Sequence, residues 1–273
     1  MSFLKIKQYL CGMIFYFSGT GNTKWAAQKV ADYIEEELVN IPDVFDGDCH
    51  FELKMGERIG FCFPVHGWRP PLYIRQFIRK LSFDNADGHF CWALCTAGDD
   101  IGETMDILQQ DLEPKGLQVT SALSLVMPES YVGLPFMDVD TPEKEKLKKE
   151  KADEKLEAFL PYLQNRREGI FELDLGHWPR INSRLLGAFF VKRLVTDRRF
   201  HVNSNRCVKC GICADVCPVQ DIQGGLGHEP EWKHNGKCLT CFSCYHHCPH
   251  HAIEFGRQTY KKGQYFFNRN KIH

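Results

Sequence analysis

Residues 15–24 read Phe-Tyr-Phe-Ser-Gly-Thr-Gly-Asn-Thr-Lys, FYFSGTGNTK. An apolar run stops in a loop of glycines and hydroxyls. A helix-like stretch follows, with Ala26, Val30, Tyr33, Ile34 and Leu38 at helical spacing. Strand, glycine loop and helix together hold phosphate, because free backbone N–H groups and the positive end of the helix dipole converge on the loop. A Walker loop would require Gly-Lys-Ser/Thr, but Asn22 and Thr23 stand in those places and Lys24 comes one position late. The pattern is not GxGxxG either. The remaining donors are backbone N–H groups, the hydroxyls of Ser18, Thr20 and Thr23, and the Asn22 amide. This set suits a single terminal phosphate held without a cationic clamp.

Outward from this loop, strands and helices alternate as far as about residue 137. The pattern predicts strands at 12–17, 38–45, 58–64, 89–96 and 117–127, and helices at 22–38, 70–81 and 101–114. Lys5 and Lys7 ahead of an apolar 9–17 look like a secretory leader, but cleavage there would destroy the loop, so the stretch reads as the first strand. Near-continuous apolar strands alternating with helices imply a parallel sheet covered on both faces. Ligands of such sheets bind beyond the carboxyl ends of the strands, here loops 18–23, 65–70 and 96–100.

Residues 138–167 change character: TPEKEKLKKEKADEKLEAFLPYLQ is charged, with Thr141 able to cap a helix and Ala152, Leu156, Phe159 and Leu163 forming a narrow apolar stripe. Glutamates interleave its lysines, which argues against nucleic acid. An apolar helix at 185–195 should pack between domains.

The loop residues Ser18, Gly19, Thr20, Gly21, Asn22 and Thr23 resemble the flavodoxin phosphate loop, T/S-x-T-G-x-T, and the element order over about 10–137 agrees with that fold. The resemblance implies a doubly wound parallel five-stranded sheet and FMN as the mononucleotide. It also implies that Pro64, Val65, His66, Gly67 and Trp68, with Thr96, Ala97, Gly98 and Asp99, grip the isoalloxazine ring. Trp68 is placed to stack on it, and Gly67 tolerates either sign of φ. The third loop has no tyrosine, so one ring face is left to backbone or to another domain. Asp99 and Asp100, if close, would disfavour a reduced, anionic ring.

Further on, Cys207-x-x-Cys210-x-x-Cys213-x-x-x-Cys217-Pro218 recurs as Cys238-x-x-Cys241-x-x-Cys244-x-x-x-Cys248-Pro249. In such runs three thiolates wrap one 4Fe–4S cube and the fourth crosses to the other. Cys207, Cys210, Cys213 and Cys248 should therefore hold one cluster, and Cys238, Cys241, Cys244 and Cys217 the second. Paired zinc sites would show separated CxxC pairs, which neither repeat does. His246, His247, His250 and His251 read as surface residues. Cys11, Cys49, Cys62, Cys91 and Cys95 read as buried thiols, Cys95 drawing notice beside the third loop.

Residues 203–256 thus look like a two-cluster bacterial ferredoxin, a small α+β unit. The full chain resembles the flavodoxin–ferredoxin fusion proteins of anaerobic bacteria and archaea. The expected layout is a flavin domain at 1–137, a helical connector at 138–200, a two-cluster domain at 201–256 and a basic, aromatic tail at 257–273. The resemblance implies an electron carrier relaying single electrons between clusters and FMN, serving redox partner proteins or a small-molecule acceptor. An FMN-dependent reductase and a redox-sensing interaction protein are the alternatives.

Composition agrees. The 273 residues are 43% hydrophobic and 25% charged, as in a globular chain. The net charge of −1 hides an acidic front and a basic back: residues 1–137 carry 11 Lys+Arg against 18 Asp+Glu, and the rest 23 against 17. The two halves could attract each other or simply be solvated surfaces, and the tail, including Tyr260, Tyr265, Phe267 and Lys271, would dock on the front half or pack loosely. Thirteen cysteines, eight at ligand spacing, point to a reducing compartment such as the cytoplasm. No run is long enough to span a bilayer.

Overall fold

The computed structural model describes residues 12–54, 56–86 and 88–269. Lys5, Lys7, Cys11 and Lys271 lie outside them. Strands β1 (Gly12–Tyr16), β2 (Glu37–Asn40), β3 (Arg58–Pro64), β4 (Phe90–Ala97), β5 (Val119–Val126) and β6 (Ile170–Glu172) form one sheet. All its pairings are parallel, in the order β2-β1-β3-β4-β5-β6. This is the flavodoxin-like order, which reverses direction between β1 and β3. The register aligns the carboxyl ends, with Tyr16 opposite Cys62, Pro64 opposite Thr96 and Ala97 opposite Val126. The loops that follow therefore rise in one row.

Alternation along β1 divides the core. Ile14 and Tyr16 face helices α1 (Asn22–Ile34) and α4 (Pro142–Gln164), meeting Val30, Leu156 and Phe159. Phe15 and Phe17 face the opposite layer, where α2 (Leu72–Lys80) and α3 (Thr104–Leu112) bring Ile74, Phe77 and Leu108. The cap on α4 forms as its sequence implies: the Lys144 N–H donates to Thr141 Oγ1 at 3.4 Å.

Some boundaries differ from expectation. Helix 22–38 ends at Ile34, because Glu35 turns left-handed at φ 56° and the buried Glu36 pairs with Arg58. Leu38 then belongs to β2. The second strand is 37–40 rather than 38–45, since Pro42 opens a short helical turn, Ile41–Val44. The sheet also gains a sixth strand from the connector. β6 covers the edge of β5, whose N–H and C=O groups would otherwise stay unpaired.

The connector continues as α5, residues 179–193, running through Pro179–Ile181, a wide π turn at Asn182–Leu186, and Gly187–Arg193. The cysteine-rich region is small and mixed. β7 (Phe200–Val202) pairs antiparallel with β10 (Ile253–Phe255), and β8 (Ile222–Gln223) with β9 (Glu231–Trp232). Single-turn helices α6 (Ile212–Asp215) and α7 (Ser243–His246) carry Cys213 and Cys244. Phe200, Trp232, Phe242 and Phe255 form the core between them.

Candidate functional site

The loops after β1, β3, β4 and β5 enclose a cavity of about 230 Å³. Every cofactor residue expected from the sequence lines it except Gly21. Ser18, Gly19, Thr20, Asn22 and Thr23 come from the first loop, Pro64 through Trp68 from the second, and Thr96 through Asp99 from the third. The loops are tied to one another. Thr23 Oγ1 and Thr96 Oγ1 stand 2.8 Å apart, Val65 N–H donates to the Thr96 carbonyl at 2.8 Å, and Asn22 Nδ2 donates to the Pro128 carbonyl at 3.2 Å. Gly21 caps α1 in the left-handed region, φ 94°, with no side-chain cap. The N-terminal amides of α1 thus keep the polarity an anion needs.

The second loop is strained. Gly67 and Trp68 both sit at φ 57°. α5 holds them there: Ser183 Oγ donates to the Trp68 carbonyl at 2.9 Å, and Phe190 packs on Gly67, where a Cβ would stand 2.7 Å from its ring. At the third loop, a Cβ on Gly98 would lie 2.2 Å from Glu129 Oε2, so only glycine leaves room for that carboxyl. Glu129 Oε1 accepts the N–H groups of Ser130 and Tyr131 at 2.9 and 2.7 Å. Burial pushes its carboxyl above the usual range. Burial also raises Asp100, helped by Asp99, lowers the His66 imidazole to about 4 and lifts the Tyr131 hydroxyl to about 12.

Sequence reasoning missed the fourth loop. Glu129, Ser130, Tyr131, Leu134 and Met137 line the cavity, joined by Phe190 and by Leu239, Thr240 and Cys241. The rule that ligands sit beyond strand carboxyl ends would have found residues 128–137, which directly follow β5. Cys241 was legible as a cluster ligand and Phe190 as part of an apolar helix, but nothing local placed either, or Leu239 and Thr240, at this cavity. Tyr131 brings an aromatic ring to the cavity from this fourth loop, and it meets Phe190 and Phe242 edge-on at 5.1 and 5.3 Å.

Two further cavities belong to the cysteines. Cys207, Cys210, Cys213 and Cys248 line one, and Cys217, Cys238, Cys241 and Cys244 the other. These are the two crossed quartets the repeats imply. The amides of Asp221, Thr240 and Ala252 donate to the sulfurs of Cys217, Cys238 and Cys248 at 3.3, 3.4 and 3.2 Å. Such bonds stabilise negative sulfur and tune a cluster. Among the described residues, no three His, Cys, Asp or Glu side chains are close enough to chelate one metal ion.

The reading of all four histidines as surface residues is corrected at His246, whereas Cys95 is buried as expected. His246 is buried, 1% exposed, because Nε2 bonds the Ser130 carbonyl at 2.7 Å and Nδ1 receives the Tyr265 N–H at 3.1 Å. It fastens the cysteine region to the cavity loop and the tail. Cys95 points into the core beside Phe63 and Ala93, away from the cavity. The tail docks on the acidic half, one of its two expected placements: Tyr265 OH donates to Asn22 Oδ1 at 2.5 Å, Phe267 N–H donates to the Thr20 carbonyl at 2.8 Å, and the Phe267 ring stacks on Trp25. The glycines of the first loop serve this packing too. A Cβ on Gly21 would meet Phe267 Cβ at 2.9 Å, and one on Gly19 would meet Cys241 Cβ at 3.1 Å.

Residues 200–249 match the 4Fe-4S dicluster domain family. The match supports an iron–sulfur region and, through it, a redox, electron-transfer role. No curated protein matches the chain. Among solved structures, a candidate flavoprotein from Bacteroides uniformis is 19% identical with a TM-score of 0.32, over 41% of this chain and 90% of its own. The Trp repressor binding protein of Bacillus subtilis is 11% identical with a TM-score of 0.33, over 55% and 96%. Rubredoxin oxygen:oxidoreductase of Desulfovibrio gigas is 14% identical with a TM-score of 0.28, over 55% of this chain and 36% of that one. No helix among the described residues is long and apolar enough to cross a membrane.

Proposed function

We propose that this chain relays single electrons between two 4Fe–4S clusters and a bound FMN, and so between low-potential redox partners. In this reading Cys207, Cys210, Cys213 and Cys248 ligate one cluster, and Cys238, Cys241, Cys244 and Cys217 the other. The thiol-only donor sets suit iron–sulfur chemistry. Loop 18–23 and the uncapped start of α1 would hold the FMN phosphate. Loops 64–68 and 96–99, with Tyr131, would enclose the ring. Gly98 lets the Glu129 carboxyl lie against the third-loop backbone, and both residues line the cavity. Bound flavin would exchange electrons singly or in pairs, whereas each cluster carries one.

The observation that carries the reading is Cys241. It lines both the sheet cavity and the second cysteine cavity, and Gly19 of the phosphate loop packs on it. Anaerobic analysis should return about eight iron, eight sulfide and one FMN per chain. Zinc without acid-labile sulfide would end the reading. Thr20→Ala with Thr23→Ala should weaken FMN binding while leaving iron content intact; unchanged flavin affinity would remove the phosphate assignment.

One observation favours a second reading, an FMN-dependent reductase of a small organic compound. Glu129, His66 and Tyr131 all line the cavity, and burial raises the Glu129 carboxyl, which favours its protonated form. Stopped-flow reoxidation of the reduced chain separates the two. Saturable turnover of one compound, lost in Glu129→Gln, would replace the carrier reading.

A further inference from the structure

Helix α5 wears its amphipathic pattern inside out. The face against the protein starts with small and polar residues and carries Phe190 further along. Ser183 is fully buried, donating to the Trp68 carbonyl at 2.9 Å and accepting the Glu103 N–H at 2.7 Å. One turn on, a Cβ at Gly187 would stand 2.1 Å from the Gly67 carbonyl oxygen, so glycine alone permits the contact. The outward face is apolar: Trp178 is 65% exposed, Ile181 45%, Leu185 67%, Leu186 50% and Phe189 59%. A helix resting on a globular protein ordinarily shows the reverse. Five large apolar side chains on one open face mark a surface that something covers.

The charges say what. Arg180, Arg184, Lys192 and Arg193 flank this face and are all exposed. Among the described residues one carboxylate pairs with them, Glu103, which takes Arg184 at 2.7 and 2.8 Å and lies 4.0 Å from Arg180. A second copy docking by a two-fold axis would bring these cations against their own equivalents, which opposes association. An anionic lipid surface complements them. Leu and Phe enter the acyl boundary, Trp favours the interface, and long Lys and Arg side chains reach back to the headgroups.

We propose that α5 seats this chain on an anionic lipid surface, apolar face down, without spanning it. Phe190, next to the outward Phe189, lines the sheet cavity. One helix therefore presents a lipid face and a cavity wall on opposite sides, which sets the cavity close to the lipid boundary.

Vesicle flotation of the intact, cofactor-loaded chain tests this, using phosphatidylcholine alone and phosphatidylcholine mixed with phosphatidylglycerol. The native chain should rise with the mixed vesicles at low salt, and about tenfold less with phosphatidylcholine alone or at high salt. Leu185→Ser with Phe189→Ser should lose flotation, as should Lys192→Glu with Arg193→Glu, each keeping the native absorption spectrum. Because these side chains are exposed, folding should be untouched. A native chain that stays down with both vesicle types overturns the proposal, as does equal flotation of the Ser variant. A vesicle-free dimer in sedimentation that the Ser variant converts to monomer would assign the face to a second copy.

Discussion

Cys210 and Cys241 hold the same place in the two cysteine repeats, yet Cys210 is exposed whereas Cys241 lies in the wall of the sheet cavity against Gly19. Their neighbours differ in the same way. Val208 is 56% exposed, and its counterpart Leu239 is 6% exposed. The inner repeat is also pinned by Ser243, whose Oγ donates to the Gly19 carbonyl at 2.9 Å, and by His246 on Ser130. Identical local chemistry thus has two settings. One copy faces the sheet cavity and the other faces outward, where Leu226 is 75% exposed beside Cys210. A duplicated motif fixes what a region binds; its packing fixes what it can pass electrons to.

The sharpest way to break this comparison is to remove the two cysteines in turn. Cys241→Ser and Cys210→Ser should each lower iron from about eight to about four per chain. Only Cys241→Ser should also abolish electron exchange between the remaining cluster and the cavity flavin, followed by photoreduction under anaerobic conditions. Equal behaviour of the two variants would erase the inner–outer distinction. A smaller contrast should appear in stability. Leu239→Ala empties a buried site and should cost about 2–3 kcal/mol in denaturant unfolding, whereas Val208→Ala at the equivalent outer position should stay within about 0.5 kcal/mol. The finest contrast is at the seam itself. Gly19→Ala pushes a methyl to 3.1 Å from Cys241 Cβ and should cost about 1 kcal/mol, with a shift in the visible spectrum of the inner cluster. An unchanged spectrum would mean that loop and repeat do not press on each other.

Legibility in the sequence followed the range of the forces involved. The quartets of the cysteine repeats, the phosphate loop, β3 and the stripe of α4 were readable because each depends on spacing within a few residues. The reading of 22–38 as one helix failed at Glu35, where burial of Glu36 against Arg58 ended it. Apolar periodicity carried across that boundary, since Leu38 packs from β2 instead. The histidines around Cys248 looked alike in sequence. Only the approach of Ser130 and Tyr265 drew His246 inside while His250 stayed exposed. Likewise the third loop carries no tyrosine, and Tyr131 reaches the same cavity from a loop one strand later.

By itself the sequence determined the parallel sheet, the glycine turn that opens α1 and the two cysteine repeats whose quartets line two cavities, because hydrophobic period, glycine placement and ligand spacing are local properties of the chain. Tertiary structure alone decided that Cys241 borders the sheet cavity, that Glu129 and Tyr131 enter it, and that α5 turns its apolar face outward. Those outcomes depend on contacts between segments far apart in the chain. Which of two chemically equal cysteines, or which face of a helix, ends up covered is settled by the shape of what packs against it.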